Sequence, residues 1–468
     1  MDLANAFKAQ ETTTTNGMAA LQSTMDSNVD LFFKIGASRG KNIVPQFTAA
    51  FVENRELALR IALWARDVRG GAGERQLFRD VLNYLEGVDP DAARSLILST
   101  PELGRWDDLL IVKTPALRDL AFSLIKAGLE SQNGLCAKWM PRKGKDAEAL
   151  RAYLGYSPKR YRKTLVTLTQ VVETQMCAKD WDNINFSHVP SVAAGRYRKA
   201  FKKNAEEAYT KYAEGLATGE TKINAGAVFP YDVLKGNMNG YQRATLTKVE
   251  RDVILAQWAA LENVVGDAKM LPMVDVSGSM SCPAGTKSSV TCMDVAVSLG
   301  LYLAEKNTGS FRDMFITFTE QPTLYALKGN VLDKLDQMTG QVGYNTNLEA
   351  AYDALLKVAV TSKVAQEDMP EYIVMLSDMQ FDGCTGRPTA SAIDMIRDKY
   401  KAAGYTAPKV VFWNINAHDN VPVKFNDLGV ALISGFSPTI VKSVLTAQKF
   451  SPQGIMLEAV MSDRYKPQ

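Results

Sequence analysis

The sequence predicts a chain in two parts: an array of helical repeats, then a doubly wound α/β domain. Three observations predict it. Between about residues 44 and 129, apolar residues recur at helical spacing in successive segments separated by short polar breaks. From residue 270 onward, compact apolar runs of strand length alternate with helical patterns. At 468 residues the chain is too long for one compact core.

Composition narrows the class. Hydrophobic residues are 46% and charged residues 22%, which places the chain among ordinary globular proteins. No apolar run is long enough to span a bilayer, so no membrane partner is expected. Met1-Asp-Leu-Ala-Asn-Ala-Phe7 lacks a basic-then-apolar leader, and a cytoplasmic location is expected. The five cysteines, at 136, 177, 282, 292 and 384, are scattered and odd in number, which fits reduced thiols. With two histidines and no Cys-x-x-Cys, zinc is not expected. The net charge of +3 hides an asymmetry: residues 138–203 hold fifteen Lys/Arg against five Asp/Glu, so the remainder is acidic. A basic block in a near-neutral chain points to an anionic partner.

In chain order, residues 1–27 are polar and Thr-rich and read as a flexible N-terminal arm. Residues 28–264 form the helical-repeat domain. Its helices are expected at Val44–Val52, Glu53–Val68, Gln76–Leu85, Asp91–Leu98 and Pro115–Leu129. Short breaks between them suggest stacked, HEAT-like pairs. Arg69-Gly-Gly-Ala-Gly-Glu-Arg75 lacks the phosphate-loop spacing and follows no strand, so it reads as a tight inter-helix turn; Arg69 and Arg75 beside it are placed to face an anion. Trp106, followed by Leu109 and Leu110, reads as a plug in a helix seam.

The basic block opens with a loop carrying Lys138, Arg142, Lys143 and Lys145. Ser157-Pro158 then starts a helix, with Ser as N-cap and Pro in the first turn. Tyr161, Leu165, Leu168, Val172 and Met176 share its inner face. Lys159, Arg160, Arg162 and Lys163 crowd its start, where cations oppose the helix dipole and an anion relieves the conflict. A second basic helix is expected from about Pro190 to Ala213. Tyr197, Phe201, Ala205 and Ala208 lie on its apolar side, and Arg196, Lys199, Lys202 and Lys203 on its cationic faces. These twelve cations are the candidate phosphate contacts for a small structured or single-stranded RNA. Trp139, Tyr153, Tyr156 and Trp181 are available to stack unpaired bases. His188 and His418 belong to no Ser/His/Asp set, so there are no candidate catalytic residues and no enzyme is expected.

Residues 265–450 form the α/β domain, and 451–468 a C-terminal tail. Strands are expected at Met270–Val276, Asp313–Thr319, Tyr372–Leu376, Lys409–Trp413 and Val430–Ile433, with a short edge strand at Thr323–Leu327. Helices are expected at Val290–Lys306, Val331–Met338, Leu348–Val360, Ser391–Ala402 and Pro438–Leu445. The first strand ends in Asp275-x-Ser277-x-Ser279, a tight loop of oxygen donors. Ligands in open α/β sheets gather at the carboxyl ends of strands where strand order reverses. Thr346 lies in a loop before a helix, and Asp378 follows the strand Tyr372–Leu376. Hard oxygen donors of mixed charge suit Mg²⁺ or a similar divalent cation.

This five-residue set resembles the metal-ion-dependent adhesion site of the von Willebrand factor A domain. The resemblance implies that Ser277, Ser279 and Thr346 ligate the metal and that Asp275 and Asp378 act directly or through water. It also implies one position left open for a partner's carboxylate or another oxygen. Residues 69–75, Gly104-Arg-Trp-Asp-Asp108, Lys138-Trp-Met-Pro-Arg142, 157–165, Val189-Pro-Ser191 and 275–279 together resemble the TROVE-module family, over about residues 30 to 450. That implies a ring or horseshoe of HEAT-like helices closed by a von Willebrand factor A-type, Rossmann-like domain. It implies too a basic surface that binds small structured RNAs and a hole that takes single-stranded RNA ends. Two readings follow, and they are compatible. One is an RNA-binding scaffold of the RNA quality-control type. The other is a metal-dependent protein-interaction or assembly module whose basic helices contact an acidic protein.

Overall fold

A computed structural model describes residues 11–14, 17, 19–223, 228–238, 246–285, 288–317, 322–340, 348–380, 389–418 and 420–468. The first part is helical. Helices α1 (Ser27–Ile35), α2 (Val44–Glu53), α3 (Arg55–Arg66), α4 (Arg75–Val88), α5 (Pro90–Leu103), α6 (Pro115–Glu130) and α7 (Gly134–Trp139) pack each on the next. After α8 (Lys145–Tyr153), α9 (Pro158–Leu168) returns against α7. Side-chain caps start several of them: Asp26 on α1, Asn54 on α3, Asp89 on α5 and Ser157 on α9. Helix α3 is buried along nearly its whole length, Leu59 to Arg66, because neighbours cover it on every side.

A second module carries α10 (Val172–Cys177), α11 (Ser191–Asn204) and α12 (Glu206–Thr218); α13 (Pro230–Leu234), whose Val233 and Leu234 belong to the main core, and α14 (Lys248–Ala259) follow. Phe186, Phe201, Tyr209 and Tyr212 form its aromatic core, with ring centroids 5.2–6.4 Å apart. This core is separate from the main one. Helix α14 joins them: Val253 faces the aromatic core, Ile254 and Trp258 the main one.

The second part is a six-stranded sheet in the order β5-β4-β3-β6-β7-β8. Its strands are β3 (Met270–Val274), β4 (Met314–Thr317), β5 (Leu324–Ala326), β6 (Tyr372–Ser377), β7 (Lys409–Asn414) and β8 (Val430–Ser434); β1 (Glu11–Thr13) and β2 (Ala19–Leu21) form a separate antiparallel pair. All neighbours in the sheet are parallel except β4 and β5. Strand order reverses at β3, with β4 on one side and β6 on the other. β3 and β6 are buried throughout, as a central parallel strand requires. Helix α15 (Cys292–Lys306) packs on β3, β4 and β6. Helices α16 (Val331–Thr339), α17 (Leu348–Ser362), α18 (Thr389–Ala402), α19 (Ile440–Thr446) and α20 (Pro452–Val460) complete the part.

Five expectations are corrected. Residues 19–27 are no free arm: Leu21 exchanges backbone hydrogen bonds of 2.8 and 2.9 Å with Val421, and Ser27 opens a buried helix. Residues 451–468 are no tail: Ile455, Met456, Ala459 and Val460 bury one face of α20 against β8 and α3. The expected helix through Met176 stops at Leu168, within the β-branched run Thr167, Thr169, Val171 and Val172, which lowers helix propensity, and Val172 joins the other core. The expected helix from 190 to 213 breaks at Ala205, so Ala208 is exposed. The loop expected at 138–145 is in part helical, since Lys138 and Trp139 end α7 and Lys145 starts α8.

The two parts share one continuous hydrophobic core. The amide of Gly36 donates to the Ser434 hydroxyl at 3.1 Å. A Cβ at Gly36 would lie 2.7 Å from the Ser434 carbonyl oxygen, so only glycine fits that approach. At the other end, buried Asp67 accepts from Arg464 Nε at 2.6 Å and from the Tyr465 hydroxyl at 3.1 Å. Burial pushes its carboxyl up, but these bonds and that of the Arg69 amide outweigh burial and hold it below the usual range. Asp67→Asn is expected to cost about 1–3 kcal/mol, the usual loss when hydrogen bonds to a buried charged group are removed while its partner stays near water. Adding Arg464→Leu should recover part of it. Urea unfolding of both variants checks this, and a fully additive double variant would show that the clasp carries no coupling.

Candidate functional site

The loop after β3 and the loop after β6 meet at the point where strand order reverses. Asp275 is fully buried there. Its Oδ1 accepts the Ser277 amide at 2.9 Å, and its Oδ2 accepts the Ser377 hydroxyl at 2.7 Å. The hydroxyls of Ser277 and Ser279 are 3.1 Å apart. Asp378 is buried, takes the Gln380 amide on Oδ1 at 3.2 Å, and is stabilised in its charged form by the Ser279 hydroxyl. The structure therefore brings four of the five expected donors together, and Thr346 lies outside the described residues. Two carboxylates and two hydroxyls make up the set; among the described residues no group of three or more His, Cys, Asp or Glu is placed to hold a metal ion.

The electrostatics are unbalanced. Burial, with the Asp378 charge adding to it, pushes Asp275 up to about 6 against the hydrogen bonds of Ser277 and Ser377. Burial also raises Asp378, against the Gln380 amide, the Ser279 hydroxyl and the Lys41 charge. Two like charges in a poorly solvated crevice oppose each other's ionisation. A hard cation bridging them removes that conflict, so the residues fit one. Lys41 was not found from sequence. It reaches this edge from the helical part, donating to Asn416 Oδ1 at 2.8 Å and to the Ala417 carbonyl. Only the docking of residues 36–41 on the sheet puts it there. His418 Nε2 stands 3.9 Å from Asp378. The Cys282 and Cys292 sulfurs, 3.5 Å apart, lie just beyond the loop.

The cationic candidates lie elsewhere, along α7 to α9 and α11. Arg142, Lys143, Lys145, Lys159, Arg160, Arg162, Lys163, Arg196, Lys199 and Lys203 are exposed. Of these, Arg142 donates to the Thr169 hydroxyl at 3.0 Å and Arg160 lies 4.0 Å over the Tyr156 ring. Lys138 and Lys202 are half-buried, and Lys138 is partly neutralised by Glu173 at 3.9 Å. The other eight have no ion pair among the described residues. Helix α11 ends with Lys202 and Lys203, where the dipole favours cations, and α12 begins with Glu206 and Glu207, where it favours anions.

Among the stacking candidates, Trp139 has one face covered by the Arg105 guanidinium, 3.6 Å from the ring centroid. Trp181 packs against the aromatic core. Trp106 plugs the seam as expected: a Cβ at Gly128 would lie 2.7 Å from its ring. The glycine turn offers no phosphate cradle. The amides of Arg69 and Gly70 bond the Asp67 carboxylate, and those of Gly71 to Glu74 bond carbonyls of residues 64–67.

Comparison with known proteins places these features in context. The family model described as "Domain of unknown function (DUF2828)" matches residues 14–99 and 136–270. The one described as "Domain of unknown function (DUF7788)" matches residues 269–466. The Uncharacterized protein L728 of Acanthamoeba polyphaga mimivirus is 28% identical over 510 aligned residues, covering 96% of this chain and 86% of its own. The crystal structure of the Deinococcus radiodurans RO (RSR) protein aligns with a TM-score of 0.48 and 13% identity, covering 94% of this chain and 100% of that one.

The raised Asp275 carboxyl has a signed consequence in chelator. Its folded pKa of about 6 exceeds the unfolded value of about 3.9, so the folded state keeps a proton that the unfolded state releases. That stabilisation is complete below about pH 4 and is lost as pH rises through about 6, by about 3 kcal/mol. Asp275→Asn should match the parent near the acid end and exceed it in stability at neutral pH. Urea midpoints across the window test this, and parallel curves for the two proteins would contradict it.

Proposed function

We propose that the protein is a non-enzymatic RNA-binding scaffold whose contacts run along α7 to α9 and α11. The observation that carries this reading is the set of eight exposed cations, Lys143, Lys145, Lys159, Arg162, Lys163, Arg196, Lys199 and Lys203, that meet no carboxylate within the described chain. Each gains nothing from the fold, and Lys159 lies in the first turn of α9 with Arg162 and Lys163 just behind it, where like charge is unfavourable. A polyanion satisfies all of them at once, and phosphate contacts of this kind give affinity without sequence choice. Small structured or single-stranded RNA, the partner class implied by the TROVE-module resemblance, meets that requirement. No described helix is long and apolar enough to cross a membrane.

A second, compatible reading rests on the paired buried carboxylates. Asp275, Ser277, Ser279 and Asp378, with Thr346 as the fifth donor, would hold Mg²⁺ or a similar divalent cation. When bound, the ion supplies a Lewis-acidic position open to a carboxylate or other oxygen of a partner. This chain's own residues orient the donors: Ser377 and the Ser277 amide fix Asp275, and Gln380 fixes Asp378. The partner at that edge would then be a protein carboxylate, in an assembly or adhesion role.

The triple variant Lys199→Glu, Lys202→Glu, Lys203→Glu is expected to weaken RNA binding by at least about tenfold and to lower the salt slope by about two to three. Fluorescence anisotropy over a salt series measures both, and an unchanged slope would sink the RNA reading. Millimolar Mg²⁺ is expected to raise the thermal midpoint of the parent at neutral pH and to leave that of Asp275→Ala unmoved. An identical response of the two proteins would remove the cation site.

A further inference from the structure

We propose that Arg75 is a phosphate seat for a bound RNA strand, backed by the Arg105–Trp139 stack. The inference rests on the RNA reading above, but its cations, Arg75 and Arg105, lie outside the basic block. The Arg69–Arg75 turn, the short helix Trp106–Ile111 and the end of α7 meet around one charge cluster. Asp108 is fully buried at its centre and accepts three donors: Arg66 Nε at 2.8 Å, Arg79 Nε at 2.7 Å and the Arg105 amide at 2.9 Å. Asp107 is held by both arms of the Arg105 guanidinium, with Arg79 at 3.0 Å. Arg66, Arg75, Arg79 and Arg105 thus share two carboxylates, and the surplus falls on Arg75.

Arg75 is exposed and makes no hydrogen bond or ion pair among the described residues. Partial burial and the charges of Arg105 and Arg66 disfavour its cationic form by more than the charges of Asp107 and Asp108, both held by other arginines, favour it. Every nearby carboxylate that would relieve it is already taken. Glu74 is bound by Arg39 at 2.5 Å, Asp67 by Arg464 and Tyr465, and Glu102 by Arg464 at 3.3 Å. Because Glu74 is turned to Arg39, it does not cap α4, whose first amides lie at Arg75. An anion from outside the chain is what the cluster lacks, and a guanidinium fork suits a phosphate oxygen pair.

A nucleic acid fits better than an acidic protein because of what adjoins the seat. Arg105 lies flat on Trp139, whose neighbours Lys138 and Arg142 lead into the exposed cations of α8 and α9, and Tyr156 follows with Arg160 on its face. Cations interleaved with aromatic rings match alternating phosphates and bases. The seat would extend the strand path from α9 back to the Gly-rich turn.

The test uses the full chain and a short fluorescent oligouridylate over a salt series. Arg75→Ala should weaken binding about tenfold and lower the salt slope by about one, with no loss in urea midpoint, because nothing in the fold depends on that guanidinium. Arg75→Lys should keep the slope and lose part of the affinity. If Arg75→Ala binds like the parent while the triple Lys→Glu variant has lost binding, the seat is wrong and the RNA reading stands. If the parent itself binds no RNA, both fall. If polyglutamate binds the parent in place of RNA and Arg75→Ala weakens it, the partner is an acidic protein and the proposal is overturned.

Discussion

Asp67 is where the two parts of this chain are locked together. One buried carboxylate orders the Gly-rich turn through the Arg69 and Gly70 amides and pins the C-terminal segment through Arg464 and Tyr465. A buried charge is tolerated only when its lone pairs are filled, and here each donor comes from a segment that must be in place first. The turn then delivers Arg75 to the charge cluster around Asp108, while the C-terminal segment holds α20 between β8 and α3. The positions of the helical array and of the sheet's edge are therefore set by the same group.

Two charge imbalances remain after folding, and they are opposite in sign. At the carboxyl end of β3 and β6, Asp275 and Asp378 are buried with hydroxyls and amides for company, and Lys41 alone approaches from the helical side. Along α7 to α9 and α11, eight exposed lysines and arginines have no ion pair among the described residues. Some charges elsewhere are closely paired, as Arg55 with Asp89 or Lys334 with Glu305 and Asp313. The density of a single sign of charge in each place, rather than the lack of a partner, marks where something outside the chain can complete it.

Much of this was legible from residue order. The strand runs 270–276, 372–376 and 409–413 are apolar without alternation, which is the mark of a sheet covered on both faces, and they emerged as β3, β6 and β7. Ser157 before Pro158 fixed the start of α9, and the Asp275–Ser279 loop came out at the strand-order reversal. Helix ends inside the basic block were not legible. The Thr/Val run after Leu168 lowers helix propensity only modestly, and it is the partition of Tyr161 and Val172 into different cores that breaks the helix. Lys41 carried no signal at all, since it belongs to no patterned segment, and Arg105, although part of the Gly104–Asp108 motif, gave no sign of its stacking on Trp139.

The order of residues by itself determined the class of each half, the oxygen-rich loop and the cationic block, because periodicity and charge are local properties of the chain. Tertiary structure alone decided that residues 19–27 and 451–468 are structural, that Trp139 is stacked under Arg105, and that Arg75 is left without a carboxylate. Each of those depends on which distant group arrives first to satisfy a buried charge or an apolar face. Long-range pairing of that kind leaves no trace in spacing along the chain.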